Sequence, residues 1–99
     1  MTYKEYSASL ANDNPPRELN ELLTSLWYER KGDWGRSHEI AQSIGGKDTA
    51  WIHAYLHRKE GDIGNAGYWY SMAGRTLPIN KTFEEEWKEI VMELLDTAD

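Results

Sequence analysis

The chain has no cysteine. That excludes disulfide staples and thiolate chemistry, whether catalytic or metal-binding. Its apolar runs are far too short to cross a bilayer. The N-terminus lacks the apolar stretch of a signal peptide, so the cytoplasm is the expected location. Basic residues are scarce: 11 Lys and Arg against 17 Asp and Glu leave a net charge of −6. A chain without a basic face is a poor partner for a nucleic-acid backbone or an anionic membrane, and neither is expected to bind. A Gly-rich phosphate loop and a nucleophile elbow are also missing, and Ser37, Ser43 and Ser71 stand outside any motif. Phe occurs once, yet there are 5 Trp and 6 Tyr. In 99 residues, enough for one small domain, such rings either supply core volume or anchor a partner.

What the chain does have is an internal repeat. Residues 26–46 read LWYERKGDWGRSHEIAQSIGG and residues 55–75 read YLHRKEGDIGNAGYWYSMAGR. Gly61 follows Gly32 at an offset of 29 residues, and the same offset relates Asp62 to Asp33, Gly64 to Gly35 and Gly74 to Gly45. A fixed period of this size marks repeated supersecondary units.

The periodicity predicts an all-α domain of about five helices over residues 17–97, preceded by a flexible leader over 1–16 that ends in the breaker cluster Asn12–Asp13–Asn14–Pro15–Pro16. Unit one covers 17–46 and unit two 48–78. The first helix is expected from about Pro16 to Lys31, with Leu19, Leu22, Leu23, Leu26 and Trp27 at helical spacing. Gly32 stops it and Asp33 caps the next, which runs to Gly45–Gly46. Asp48 or Thr49 opens a third helix that is apolar nearly all round and therefore central. Gly61–Asp62 repeats the stop and cap, and Gly74 and Pro78 end the fourth helix. Gly64 and Gly67 inside that helix suggest a tight crossing against Ala50 and Ala54. Thr82 with Glu85 forms a capping box. It starts a terminal helix over 82–96 whose acidic side, rich in Glu84, Glu85, Glu86, Glu89, Glu93 and Asp96, suits the solvating end of a stack.

In Ala54, Gly61–Asp62, Ala66, Tyr70, Ala73 and Pro78, the second unit resembles a tetratricopeptide or related helical repeat. Tyr28, Gly32, Asp33 and Trp34 carry a weaker match in the first. The resemblance covers about residues 17–78 and implies stacked helical hairpins. The repeat is shorter than the family's, and two units favour a compact stack over an extended superhelix. Some family members clamp an acidic peptide tail on their inner face through Lys and Asn. The corresponding positions here, Leu22, Leu23, Leu26, Trp51, Ile52 and Tyr55, imply an aromatic and aliphatic groove instead. The segments LWYERKGDW, HEIAQ and WIHAYLHRKEGD also resemble short uncharacterised bacterial proteins, which implies no established activity.

The repeat class, the aromatic surplus and the lack of a catalytic motif favour a non-enzymatic module that binds a protein or peptide partner, with a homodimer as one form. Its candidate binding residues are Trp34, Tyr55 and Tyr68 as partly exposed anchors, and Arg58 and Lys59 as a basic pair. No catalytic residue is assigned. The rival reading is a small metal-binding protein or metal-dependent hydrolase. His53 and His57 stand four apart on one helix face, as metal-binding histidines do, and His38 on the neighbouring helix comes within reach. Three imidazoles with an open position suit zinc or another divalent metal. Against this, Ala54 stands where the helical metalloprotease motif has Glu, and packing residues occupy these positions in related repeats. Asp33 and Asp62 follow Gly at helix starts and are read as caps rather than as an acid/base pair.

Overall fold

Polar residues at the helix starts decide where most elements begin in the computed structural model, which describes residues 1–97. It contains α1 (Tyr3–Ser9), α2 (Glu21–Arg30), α3 (Trp34–Gln42), α4 (Lys47–Lys59), α5 (Ile63–Met72) and α6 (Phe83–Thr97). Among the described residues there is no strand. The fold class is therefore all-α, with six helices instead of about five.

The additional helix lies within residues 1–16, where a leader was expected. Thr2 and Glu5 form a capping box that starts α1. Tyr6 is fully buried and its hydroxyl donates to the Leu23 carbonyl at 2.6 Å. The Trp27 indole donates to Ser9 Oγ at 3.1 Å, and the rings of Tyr3 and Tyr6 pack on Trp87. Tyr6 is thus a core residue. Seven residues are too few to show a convincing apolar period, and only tertiary partners hold such a short helix.

The first long helix starts later than expected. The Asn20 side chain accepts from Leu23 N, so α2 begins at Glu21 rather than near Pro16. The repeated turns do match in detail. Asp33 N donates to the Tyr28 carbonyl and Asp62 N to the His57 carbonyl, both at 2.9 Å, across Gly32 at φ 93° and Gly61 at φ 88°. These are Schellman closures, and the left-handed residue in each is the glycine that tolerates it. Asp33 then caps Arg36 N, and Asp62 caps Asn65 N. The Thr82–Glu85 capping box starts α6 as expected.

α2 packs chiefly on α3, and α4 on α5, while α4 also touches α3 and α6. As expected of the central helix, α4 is buried from Thr49 to His57. The radius of gyration, 12.6 Å, matches the roughly 13 Å of a compact globule of this length.

α6 departs from its expected place as a terminal solvating helix. It lies against α1, α2 and α4 and buries Trp87, Ile90, Val91 and Leu94. The Trp87 indole donates to the Leu26 carbonyl at 3.0 Å. Consequently Leu23, Leu26, Trp51, Ile52 and Tyr55, expected to line an open groove, are buried in the core. The tight crossing inferred from Gly64 and Gly67 is also corrected: a Cβ on either would meet nothing within 4 Å.

Two carboxylates are carried into this core with their partners. Glu86 accepts from Arg58 at 2.8 Å, from the Trp51 indole at 3.1 Å and from the Tyr70 hydroxyl at 2.6 Å. Glu29 accepts from the Tyr55 hydroxyl at 2.9 Å and pairs with Lys59. Burial, followed by the neighbouring Glu29, raises the Tyr55 phenol far above its ordinary value. Burial and then Glu86 do the same to Tyr70. Both phenols remain neutral donors, as a buried carboxylate requires.

Candidate metal centre in an interhelical cleft

The face of α4 turned away from α6 forms the floor of a cleft of about 790 Å³. His38 and Gln42, four apart on α3, form one wall, and Asn65, Trp69 and Met72 on α5 form the other. The α3–α4 turn closes one end with Ile44, Gly45 and Gly46. Ala50, His53 and His57 rise from the floor.

The three histidines meet here. Ring centroids are 5.1 Å apart for His38–His53, 5.3 Å for His38–His57 and 6.2 Å for His53–His57. Each residue offers one ligand nitrogen, and the three nitrogens lie within 4.8 Å of one another. Tetrahedral zinc bonds of 2.0–2.1 Å put neighbouring nitrogens about 3.4 Å apart, so the rings need only a small closing movement to share an ion.

Each ring is held differently. His57 Nδ1 lies 2.8 Å from Glu60 Oε1, one turn on. A carboxylate only accepts, so this contact puts the proton on Nδ1 and leaves the Nε2 lone pair available in the neutral ring. The Asn65 amide nitrogen sits 3.5 Å from both ring nitrogens. His38 stacks on Trp34, with centroids 4.9 Å apart and planes 9° from parallel. His53 stacks on Trp69 at 4.3 Å and 16°. His53 is only 6 % exposed, and its Nδ1 has no hydrogen-bond partner. A buried polar atom in that condition is uncommon and calls for a cause.

Desolvation holds the His38 and His53 rings below their ordinary 6.5, and the adjoining imidazoles add to it. Glu60 opposes the shift at His38, and the Ala41 carbonyl opposes it at His53. Both rings are therefore neutral near pH 7 and able to donate lone pairs.

Of the expected anchors and cations, Tyr55, Arg58 and Lys59 take other positions. Tyr55 is fully buried and held by Glu29, so it is not the partly exposed anchor expected from the sequence. Arg58 is committed to buried Glu86 and to the Lys81 carbonyl, and Lys59 to buried Glu29. The basic pair is thus spent on two core carboxylates. Trp34 is half-buried, and its indole donates to the Leu56 carbonyl at 3.0 Å. Tyr68 is 58 % exposed.

Sequence reading did not single out Gln42, Asn65, Lys47 or Trp69 as site residues, nor Glu60 as a partner of His57. A signal was available: His38 with Gln42, and Asn65 with Trp69, repeat the four-residue spacing of His53 with His57.

No protein-family model, curated protein or solved structure matches the chain. Among the described residues, no helix is long and apolar enough to cross a membrane.

Proposed function

We propose that this protein binds a divalent transition metal through His38, His53 and His57, with one coordination position open to the cleft. The observation that carries the reading is the meeting of three ligand nitrogens within 4.8 Å, one of them from His53, whose buried Nδ1 has no partner. Three imidazoles form a donor set for zinc, and for nickel or copper as well. The Glu60 contact to His57 is the outer-shell carboxylate that commonly orients a metal-binding histidine.

The test is calorimetric titration of chelator-stripped protein with zinc and with nickel. One ion per chain is expected, at micromolar or tighter affinity, with the heat lost in His57→Ala and in His38→Ala. Absence of heat in the parent protein overturns the proposal.

A second reading, a protein-binding module or homodimer, is favoured by the apolar side chains that α5 leaves in solvent, Ile63, Tyr68 and Met72, each at least half exposed. It goes with reading α2–α3 and α4–α5 as two shortened tetratricopeptide-like hairpins, supported by the 29-residue offset and the matching Gly–Asp turns. Sedimentation that is monomeric at all concentrations, and unchanged in Tyr68→Ser, counts against the homodimer.

A further inference from the structure

The cleft is much larger than a metal centre needs. An ion and one water occupy a few tens of Å³, whereas the cleft of about 790 Å³ has the size of a small-molecule site. Away from the histidines Ile44, Ala50, Trp69 and Met72 give it an apolar stretch, beside the uncharged polar Gln42, Thr49 and Asn65. The chain carries 17 Asp and Glu, yet among the described residues none lines the cleft.

The charge that does line it is positive. Lys47 stands at the end of the cleft away from His57, with its ammonium beside Gly74. Among the described residues no carboxylate pairs with it. Lys47 is also the first residue of α4, whose N-cap, Gly46, supplies no side-chain hydrogen bond. The first-turn N–H groups of this 13-residue helix are therefore left to solvent or a ligand. Residues 45–47 and Thr49 line the cleft, so this turn opens onto it. Farther along the same floor stands the unpartnered Nδ1 of His53. Six residues separate Lys47 from His53, which is about 9 Å along a helix.

We propose that the cleft binds a small organic carboxylate with an apolar body. The carboxylate meets Lys47 and the open first turn of α4, and the body lies over Ala50 between Ile44, Trp69 and Met72. Its far end reaches the histidines. This goes beyond the metal reading, and the anion end stands without it.

The test is titration of 4-phenylbutyrate, 4-phenylbutan-1-ol and inorganic phosphate into the full chain, chelator-stripped and zinc-loaded, read by calorimetry and Trp fluorescence. The acid is expected to bind the stripped protein about tenfold tighter than the alcohol, the difference expected for one charge-assisted hydrogen bond. Lys47→Ala should sharply reduce that preference, leaving only the share held by the first-turn N–H groups, with the alcohol, the zinc affinity and the melting temperature unchanged. Equal affinity for acid and alcohol, or a Lys47→Ala loss shared by both, overturns the proposal. So does phosphate binding as tightly as the acid, because the apolar walls would then contribute nothing. Zinc binding without binding of the acid leaves the metal reading intact and refutes this one. Binding of the acid to a chain that takes no metal does the reverse.

Discussion

His53→Phe separates a metal ligand from a packing histidine. The substitution keeps an aromatic ring against Trp69, where the present stack has centroids 4.3 Å apart and planes at 16°. It removes both nitrogens, including the buried Nδ1 that has no partner. An unsatisfied buried polar atom costs roughly 1–3 kcal/mol, and its loss offsets the strain of a slightly larger ring. The metal-free variant should therefore melt at or above the parent temperature. With zinc at about 100 times its dissociation constant, the parent gains about 2.7 kcal/mol. For a domain of this size that raises the melting temperature by roughly 10–20 °C. The variant, with two imidazoles left, should shift by less than about 5 °C. The assay is thermal unfolding by circular dichroism, with and without zinc, on chelator-stripped protein. A full zinc shift in His53→Phe, or none in the parent, refutes the reasoning. A metal-free variant destabilised by more than about 2 kcal/mol would instead mean that the fold needs the nitrogen.

Glu60→Gln should weaken zinc binding by roughly 10–100-fold, because the amide no longer fixes the His57 tautomer as a carboxylate does; an unchanged titration refutes the orienting role. Metal-free stability should fall with acid in a way that reports His38 and His53. Their folded values are held below the ordinary 6.5, so the unfolded chain takes up protons that the folded chain resists. The stability these groups contribute is present above that pH and is lost as the pH falls below it. Denaturant unfolding at about pH 7.5 and about pH 5.5 should show the drop, and His53→Phe should reduce it; equal drops in both proteins refute the assignment. Gly67→Ala should stabilise the protein by roughly 0.5–1 kcal/mol, the helix-propensity gain at an interior site, since the added Cβ meets nothing within 4 Å. A destabilised variant would show that the position needs glycine for another reason.

Some features were legible because they are local. Gly32, Asp33, Gly61 and Asp62 act through bonds that span five residues or fewer, so the turns they form could be read in order along the chain. The same holds for the capping box at Thr82 and Glu85. α1 was not legible: its two hydrogen bonds into the core, Tyr6 to Leu23 and Trp27 to Ser9, cross 17 and 18 residues. The expected groove failed for a similar reason. Nothing in the α6 segment specifies which neighbour its apolar stripe covers, and it covers the faces of α2 and α4 that a tetratricopeptide-like stack would leave open.

The histidines show the division most plainly. Placing His53 and His57 on one face of a helix needs only the 3.6-residue turn, and the sequence determined that much by itself. It also determined the all-α class, through periodicity and caps. Whether His38 joins them depends on how α3 crosses α4, and whether the three rings face a cleft or a packed core depends on α3 and α5 standing apart over α4. Those relations are set by side-chain packing between segments distant in sequence. So is the pairing of Arg58 with Glu86 and of Lys59 with Glu29, which commits two apparently free cations to buried carboxylates. A buried carboxylate must have a partner, and only the folded chain decides which cation is near enough to serve.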